Sequence, residues 1–243
     1  MRAEGRPAFY ALAPGGWRDY VTLLHPPYTL WHLSYVAIGA GLAPKLQAER
    51  LALVLVAFLL AMGVGAHALD ELQGRPLRTR IGGGRLVALA AVSIGGAVAI
   101  GVVAALLWNL WLLAFVAVGG FLVVAYNLEL FGGLFHGDPW FSLMWGAFPV
   151  LTAYFLCAER IRGEAVAAAA FAALLSRAQR VLSTQVRTAR RRTASVEGTI
   201  VYTDGSEERL DVSTLTRMPE AALKTLAAAS VAIAVALLLL HAR

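Results

Sequence analysis

Seven stretches of this chain stay apolar over nearly the thickness of a bilayer, at about residues 28–44, 51–69, 86–107, 110–127, 139–157, 165–182 and 222–240. A hydrocarbon core takes roughly 17–25 apolar residues per helix. Inside it each backbone N–H and C=O must be satisfied without water, which leaves only helices and closed barrels. Continuous rather than alternating apolarity selects the helix. The chain therefore reads as an all-α integral membrane bundle of about seven transmembrane helices. Composition agrees, with 59% hydrophobic residues, 15% charged residues and a mean hydropathy of +0.67, where a soluble domain carries about a quarter charged.

The spans divide the chain into a cytoplasmic N-terminal segment (1–27), a six-helix membrane bundle (28–182), a basic helix extension with a hairpin (183–221) and a final transmembrane helix (222–243). Residues 1–27 hold Arg2, Arg6, Arg18 and several prolines but no apolar core. They are not expected to be a cleaved signal peptide, so the first span directs insertion. The single cysteine, Cys157, excludes an internal disulfide and a cysteine-based metal cluster. Arginine outnumbers lysine nineteen to two, a bias that points to a GC-rich, bacterial genome.

An N-terminus on the cytoplasmic side places most of the 21 basic residues there, leaving Lys45, Arg50, Arg160, Arg162 and Arg243 outside. The positive-inside rule thus gives a multi-pass cell-membrane protein with its C-terminus on the outer face. Trp108 and Trp111 fall at the outer turn between the third and fourth spans, where aromatic anchors are expected. Because the basic residues follow membrane boundaries rather than a separate soluble domain, nucleic acid is not an expected partner.

Between spans six and seven, VEGTIVYT and EERLDV flank Asp204-Gly205 and predict a small cytoplasmic hairpin. Its acids, Asp204, Glu207, Glu208 and Asp211, read as solvated turn and strand residues, and the hairpin is the candidate contact for a protein partner. Ser213 or Thr214 is expected to cap the last helix, with Pro219 and Glu220 near its first turn. Small residues in GVG (63–65), SIGGAVAIG (93–101) and VGG (118–120) predict close helix packing.

The polar residues near membrane depth carry the functional reading. Ionisable groups there are costly and are functional candidates by default. His67, Asp70 and Glu71 share one helical face at i, i+3 and i+4. His25 and His32 lie two helical turns apart. Glu129, His136 and Asp138 follow span four, and the topology puts all of them on one side of the membrane. Imidazole with carboxylate suits zinc, iron or manganese, so His67, Asp70, Glu71, Glu129, His136 and Asp138 form the candidate transition-metal set; carboxylates alone suit magnesium. Along the inner extension of span six, Arg177, Arg180, Thr184, Arg187 and Arg191 recur at helical spacing. Arg180 and Arg187 are candidate phosphate ligands, while Arg190 to Arg192 read as positive-inside charge against anionic lipid. His241 reads as a snorkelling end residue.

HPPYTLWHLSYVAIGAGLAP, HALDELQGRPLRTRI and AYNLELFGGLFHGDPWFSLMWGAFPVLTAYF together resemble, in order and texture over roughly residues 25–185, the UbiA-type intramembrane prenyltransferase family. The first matches that family's opening helix, the second its first Asp-rich motif with the Arg-Pro turn behind it, and the third its tyrosine-led segment. The resemblance implies a helical bundle around a lipid-filled cavity, magnesium held by Asp-rich loops against a prenyl diphosphate, and basic residues on the phosphates. Carried over, His67 takes the motif's asparagine position, Ala68 its first aspartate, Glu71 its second and Arg75 its third. Beyond Tyr126 a Lys/Arg pair gives way to Glu129-Leu130, and AQRVLSTQVRTARRR stands in place of the second Asp-rich motif.

Three functions follow. A lipid or isoprenoid transferase would use Asp70, Glu71 and His67 at the reaction centre, with Arg75, Arg78, Tyr126, Arg180, Arg187, His25 and His32 around the substrate. A His/carboxylate transition-metal enzyme would act on a lipid or quinone. A noncatalytic lipid-binding or assembly protein would keep the bundle and use the hairpin.

Overall fold

The computed structural model describes residues 6–241; Arg2 and Arg243 of the charge pattern lie outside the described residues. In chain order it forms α1 (Trp17–Leu23), α2 (Pro26–Gly41), α3 (Ala48–Leu72), α4 (Gly83–Leu107), α5 (Leu112–Asn127), α6 (Asp138–Ala158), α7 (Gly163–Arg192), β1 (Thr199–Val201), β2 (Glu207–Arg209) and α8 (Val212–Leu239). A short 3-10 turn at Phe131–Gly133 lies between α5 and α6. Each apolar stretch of the sequence falls on one of α2 to α8. Five of these, α3, α4, α6, α7 and α8, are long and apolar enough to cross a membrane; α5 is apolar but shorter, and α2 has 16 residues.

α2 runs through the middle of the bundle, against α8, α6 and α3. Trp31 and Tyr35, one turn apart, are wholly buried, and the Trp31 indole N–H donates to the Tyr35 hydroxyl at 2.6 Å. A buried indole keeps its packing energy only if that N–H finds an acceptor. Glycines set the closest approaches. A Cβ on Gly39 would sit 2.2 Å from the Val150 carbonyl oxygen of α6, and one on Gly146 would sit 2.5 Å from the Ala172 carbonyl oxygen of α7. Backbone thus meets backbone where α2 crosses α6 and where α6 crosses α7.

α4 and the outer faces of α7 and α8 expose Val92, Leu106, Leu107, Phe171, Leu174, Leu239 and other large apolar side chains. Apolar surface on this scale is satisfied by acyl chains rather than water.

Three helices depart from α geometry. Wider π turns occupy Leu59–Ala66 in α3, Ser142–Ala147 in α6 and Thr188–Arg192 at the end of α7. π turns are rare and recur at functional sites.

The hairpin forms where the Asp204-Gly205 turn placed it, pairing Thr199 with Arg209, Ile200 with Glu208 and Val201 with Glu207. α8 begins at Val212, well before residue 222, because Asp211 caps it. The Asp211 carboxylate accepts from the Thr214 N–H at 2.9 Å, and the Thr214 hydroxyl accepts from the Asp211 N–H at 3.2 Å. The expected Ser213 or Thr214 cap is therefore replaced by Asp211. Pro219 lies inside the helix, and Glu220 pairs with Arg190.

At the opposite end of the bundle, Arg50 donates to the Leu156 carbonyl and to Glu159 and lies over the Trp108 ring. His241 contacts the Gly41 carbonyl at 2.8 Å through Nε2, so it tethers α8 to the end of α2 rather than snorkelling.

Candidate functional site

The other end holds a chamber of about 480 Å³, walled by the start of α2, the end of α3, the segment from Tyr126 to Trp145 and the last half of α7. Its roof is Pro7, Ala8, Phe9 and Tyr10. Arg191 donates to the Pro7 carbonyl at 3.1 Å, and Lys224 lies 4.9 Å from the centre of the Phe9 ring. In the first turn of α1, Asp19 accepts from the Gly15 and Arg80 N–H groups at 2.9 Å each, tying the N-terminal segment to the loop after α3.

Four histidines face this chamber: His25, His32, His67 and His136. Each presents Nδ1 to a backbone carbonyl, that of Leu23 at 2.9 Å, Trp145 at 2.8 Å, Gly63 at 3.0 Å and Tyr126 at 2.9 Å respectively. A carbonyl oxygen only accepts, so Nδ1 carries a proton in each, and a ring in its neutral form keeps a bare lone pair on Nε2; the His136 Nε2 lies 3.9 Å from a Glu129 carboxylate oxygen. The His25 and His67 rings lie 3.9 Å apart. Burial, reinforced by His67, holds the His25 pKa well below its ordinary value and keeps that ring neutral. His25 also adopts a left-handed backbone, φ 46°, at a cost of about 1–2 kcal/mol for a residue with a Cβ. Burial likewise raises the Tyr10 phenol well above its usual value, so it stays protonated.

Asp70 lines the chamber, and its carboxylate makes no hydrogen bond among the described residues. It interacts electrostatically with Arg187 and Arg191. Arg180 is held at 2.6 Å by Asp138 and at 2.6 Å by the Tyr126 hydroxyl. Among the described residues, the Arg187 guanidinium hydrogen-bonds only to the Thr184 hydroxyl, at 2.9 Å. Arg187, Arg191 and Arg192 line the chamber without a carboxylate partner among the described residues. Arginines so placed attract an anionic group.

The sequence-derived site thus divides. His25, His32, His67, Asp70, Tyr126, Glu129, His136, Arg180 and Arg187 come together in one cavity. Glu71, Arg75, Arg78 and Asp138 do not line it. Glu71 is fully buried and accepts from the Leu77 N–H, the Thr79 N–H and the Thr79 hydroxyl at 2.8–2.9 Å. Its role is to fold the loop after α3, in place of the reaction-centre and metal-ligand roles expected of it. Arg75 donates to the Ile81 carbonyl across the same loop, where Arg75 and Arg78 both take left-handed backbone. Asp138 is bound by Arg177 and Arg180. The six expected metal ligands therefore do not converge, and among the described residues no three His, Cys, Asp or Glu side chains are grouped to hold an ion. The acids left on the chamber wall, Asp70 and Glu129, do not fit a pair of magnesium clusters, which depend on several carboxylate oxygens.

Sequence reasoning missed Tyr10, Tyr28 and Gln179 on the chamber wall, and it read Arg191, a member of the helical arginine stripe, as positive-inside charge. Arg190 and Arg191 differ by about 100° around the helix, so Arg190 turns out to Glu220 at 2.5 Å while Arg191 turns in.

A second cavity of about 120 Å³ lies deeper between α3, α4, α5 and α6, with an almost wholly apolar lining that includes Phe58, Ile94, Val116 and Phe148. Met62 and Trp145 border both cavities. Each sits in a π turn, Met62 in that of α3 and Trp145 in that of α6. No family model, characterised protein or solved structure matches this chain.

Proposed function

We propose that this is an integral membrane protein of UbiA-like architecture, with seven spans and a cytoplasmic N-terminus, that binds an anionic amphipathic lipid of isoprenoid type and transfers or processes it. The observation that carries this reading is the junction at Met62 and Trp145, where a chamber with Arg187, Arg191 and Arg192 along one wall meets an apolar cavity. A charged head and an apolar tail need two such environments in contact. Arg187 and Arg191 supply the anion site, and the roof segment shields it. A buried, positively charged chamber next to neutral imidazoles lowers the cost of charge build-up on a departing phosphate oxygen, which is the physical basis for the transferase reading.

Native mass spectrometry of protein purified in mild detergent tests it, since bound lipid and any metal are weighed together. A co-purifying phosphate-bearing lipid is expected, with occupancy reduced about tenfold or more in Arg187→Gln/Arg191→Gln, because a charge-assisted contact contributes roughly 1.5–3 kcal/mol. Protein free of anionic lipid, or equal occupancy in the double variant, would overturn the reading.

A further inference from the structure

Beyond its anion site, the chamber has a surplus of hydrogen-bond acceptors. The four histidines direct Nδ1 to backbone carbonyls; the His25, His32 and His67 rings offer Nε2 to the cavity, whereas the His136 Nε2 faces the Glu129 carboxylate at 3.9 Å. An acceptor left empty on a cavity wall costs free energy that a fitting ligand recovers. The phosphate of a lipid head cannot supply that partner, because an ionised phosphate is itself an acceptor. Arg187 and Arg191 answer the phosphate; the imidazoles answer something that donates.

Resting on the lipid reading above, we infer that the head group carries several hydroxyl donors beside its phosphate, as in a lipid-linked sugar phosphate or polyol phosphate. The hydroxyls meet His67, His25 and His32, and the phosphate meets the arginine side of the same cavity. A volume of about 480 Å³ is in the range that takes a small-molecule head of this kind.

Phosphatidic acid, phosphatidylglycerol and phosphatidylinositol with identical acyl chains share the phosphate and differ in hydroxyl number. Titrated into delipidated full-length protein in one detergent, they are expected to bind in the order inositol, glycerol, acid. About tenfold or more should separate the first from the last, since each added neutral hydrogen bond is worth a few-fold to about tenfold. His67→Asn is expected to shrink that separation, lowering the affinity for phosphatidylinositol severalfold more than that for phosphatidic acid. Asparagine keeps a donor for the Gly63 carbonyl but has nothing at the Nε2 position, whereas His67→Gln, which places an acceptor there, is expected to restore part of the preference. Equal binding of the three lipids by the unaltered protein overturns this inference and leaves the lipid reading standing. Binding of none of them overturns this inference, and the lipid reading is then decided by the native mass spectrometry above. Variants that weaken all three lipids alike show that these groups do not read hydroxyls.

Discussion

At the scale of single residues, Asp70 and Glu71 show how neighbours in sequence take opposite tasks. Around a helix they diverge by about 100°, so Asp70 faces the chamber while Glu71 turns to the loop and receives the Leu77 and Thr79 N–H groups. Removing Glu71 leaves those two buried donors unmatched, at about 1–3 kcal/mol each. Glu71→Ala is therefore expected to lower the melting temperature in detergent far more than Asp70→Ala, with Glu71→Gln between them because its amide keeps one acceptor oxygen. The spacing of His67, Asp70 and Glu71 made the site legible in sequence, but nothing local distinguished the acid that faces ligand from the acid that folds a loop. That difference depends on where the chain returns after Gly74.

His25 gives the molecule a pH dependence with a definite sign. Its folded pKa lies well below the ordinary 6.5, through burial and the neighbouring His67. Between these values the unfolded chain binds a proton that the native state refuses, so stability falls as pH drops below about 6.5. The melting temperature is expected to decrease between about pH 7.5 and about pH 5, and His25→Asn is expected to show a smaller decrease over the same window.

At the scale of elements, the apolar runs were legible because their length and continuity admit little besides helices. Their contacts were less so. GVG and SIGGAVAIG looked alike as small-residue stripes, yet Gly39 and Gly146, outside all the quoted stripes, make the tightest backbone approaches. Gly95, inside one, has nothing within 4 Å of a built Cβ. Gly39→Ala is expected to destabilise by about 1–3 kcal/mol, as overpacking against a rigid carbonyl does. Gly95→Ala is expected to be neutral or to stabilise by up to about 1 kcal/mol through helix propensity. Thermal unfolding of the two variants side by side checks the contrast. The roof was invisible for a related reason: a proline-containing segment without an apolar core gives no periodicity, and only tertiary contact seats Tyr10 on the His25 ring, 5.3 Å away.

For the whole molecule, the division into two ends organises everything else. One end is closed by compact ties such as Arg50 with Glu159 and His241 with Gly41; the other gathers side chains from the roof, α2, α3, α7 and the segment from Tyr126 to Trp145 around a single cavity. Placing every polar helix end on one membrane face was enough to bring nine candidate residues together. It was not enough to assign Arg191 and Arg192, whose direction is set by the π turn at Thr188–Arg192.

The π turn at Leu59–Ala66 has a consequence for how the chamber keeps its registration. Closing a turn with one residue more than the α ladder takes advances everything beyond it by about 100°. The azimuth of His67 and Asp70 is thus fixed by a count of residues upstream as much as by their own chemistry. Deleting Val64, which borders neither cavity, is expected to let the helix rewind as a plain α-helix and carry both side chains off the chamber wall. Helical content by circular dichroism should then survive while lipid retention is lost, a functional frameshift within a single span.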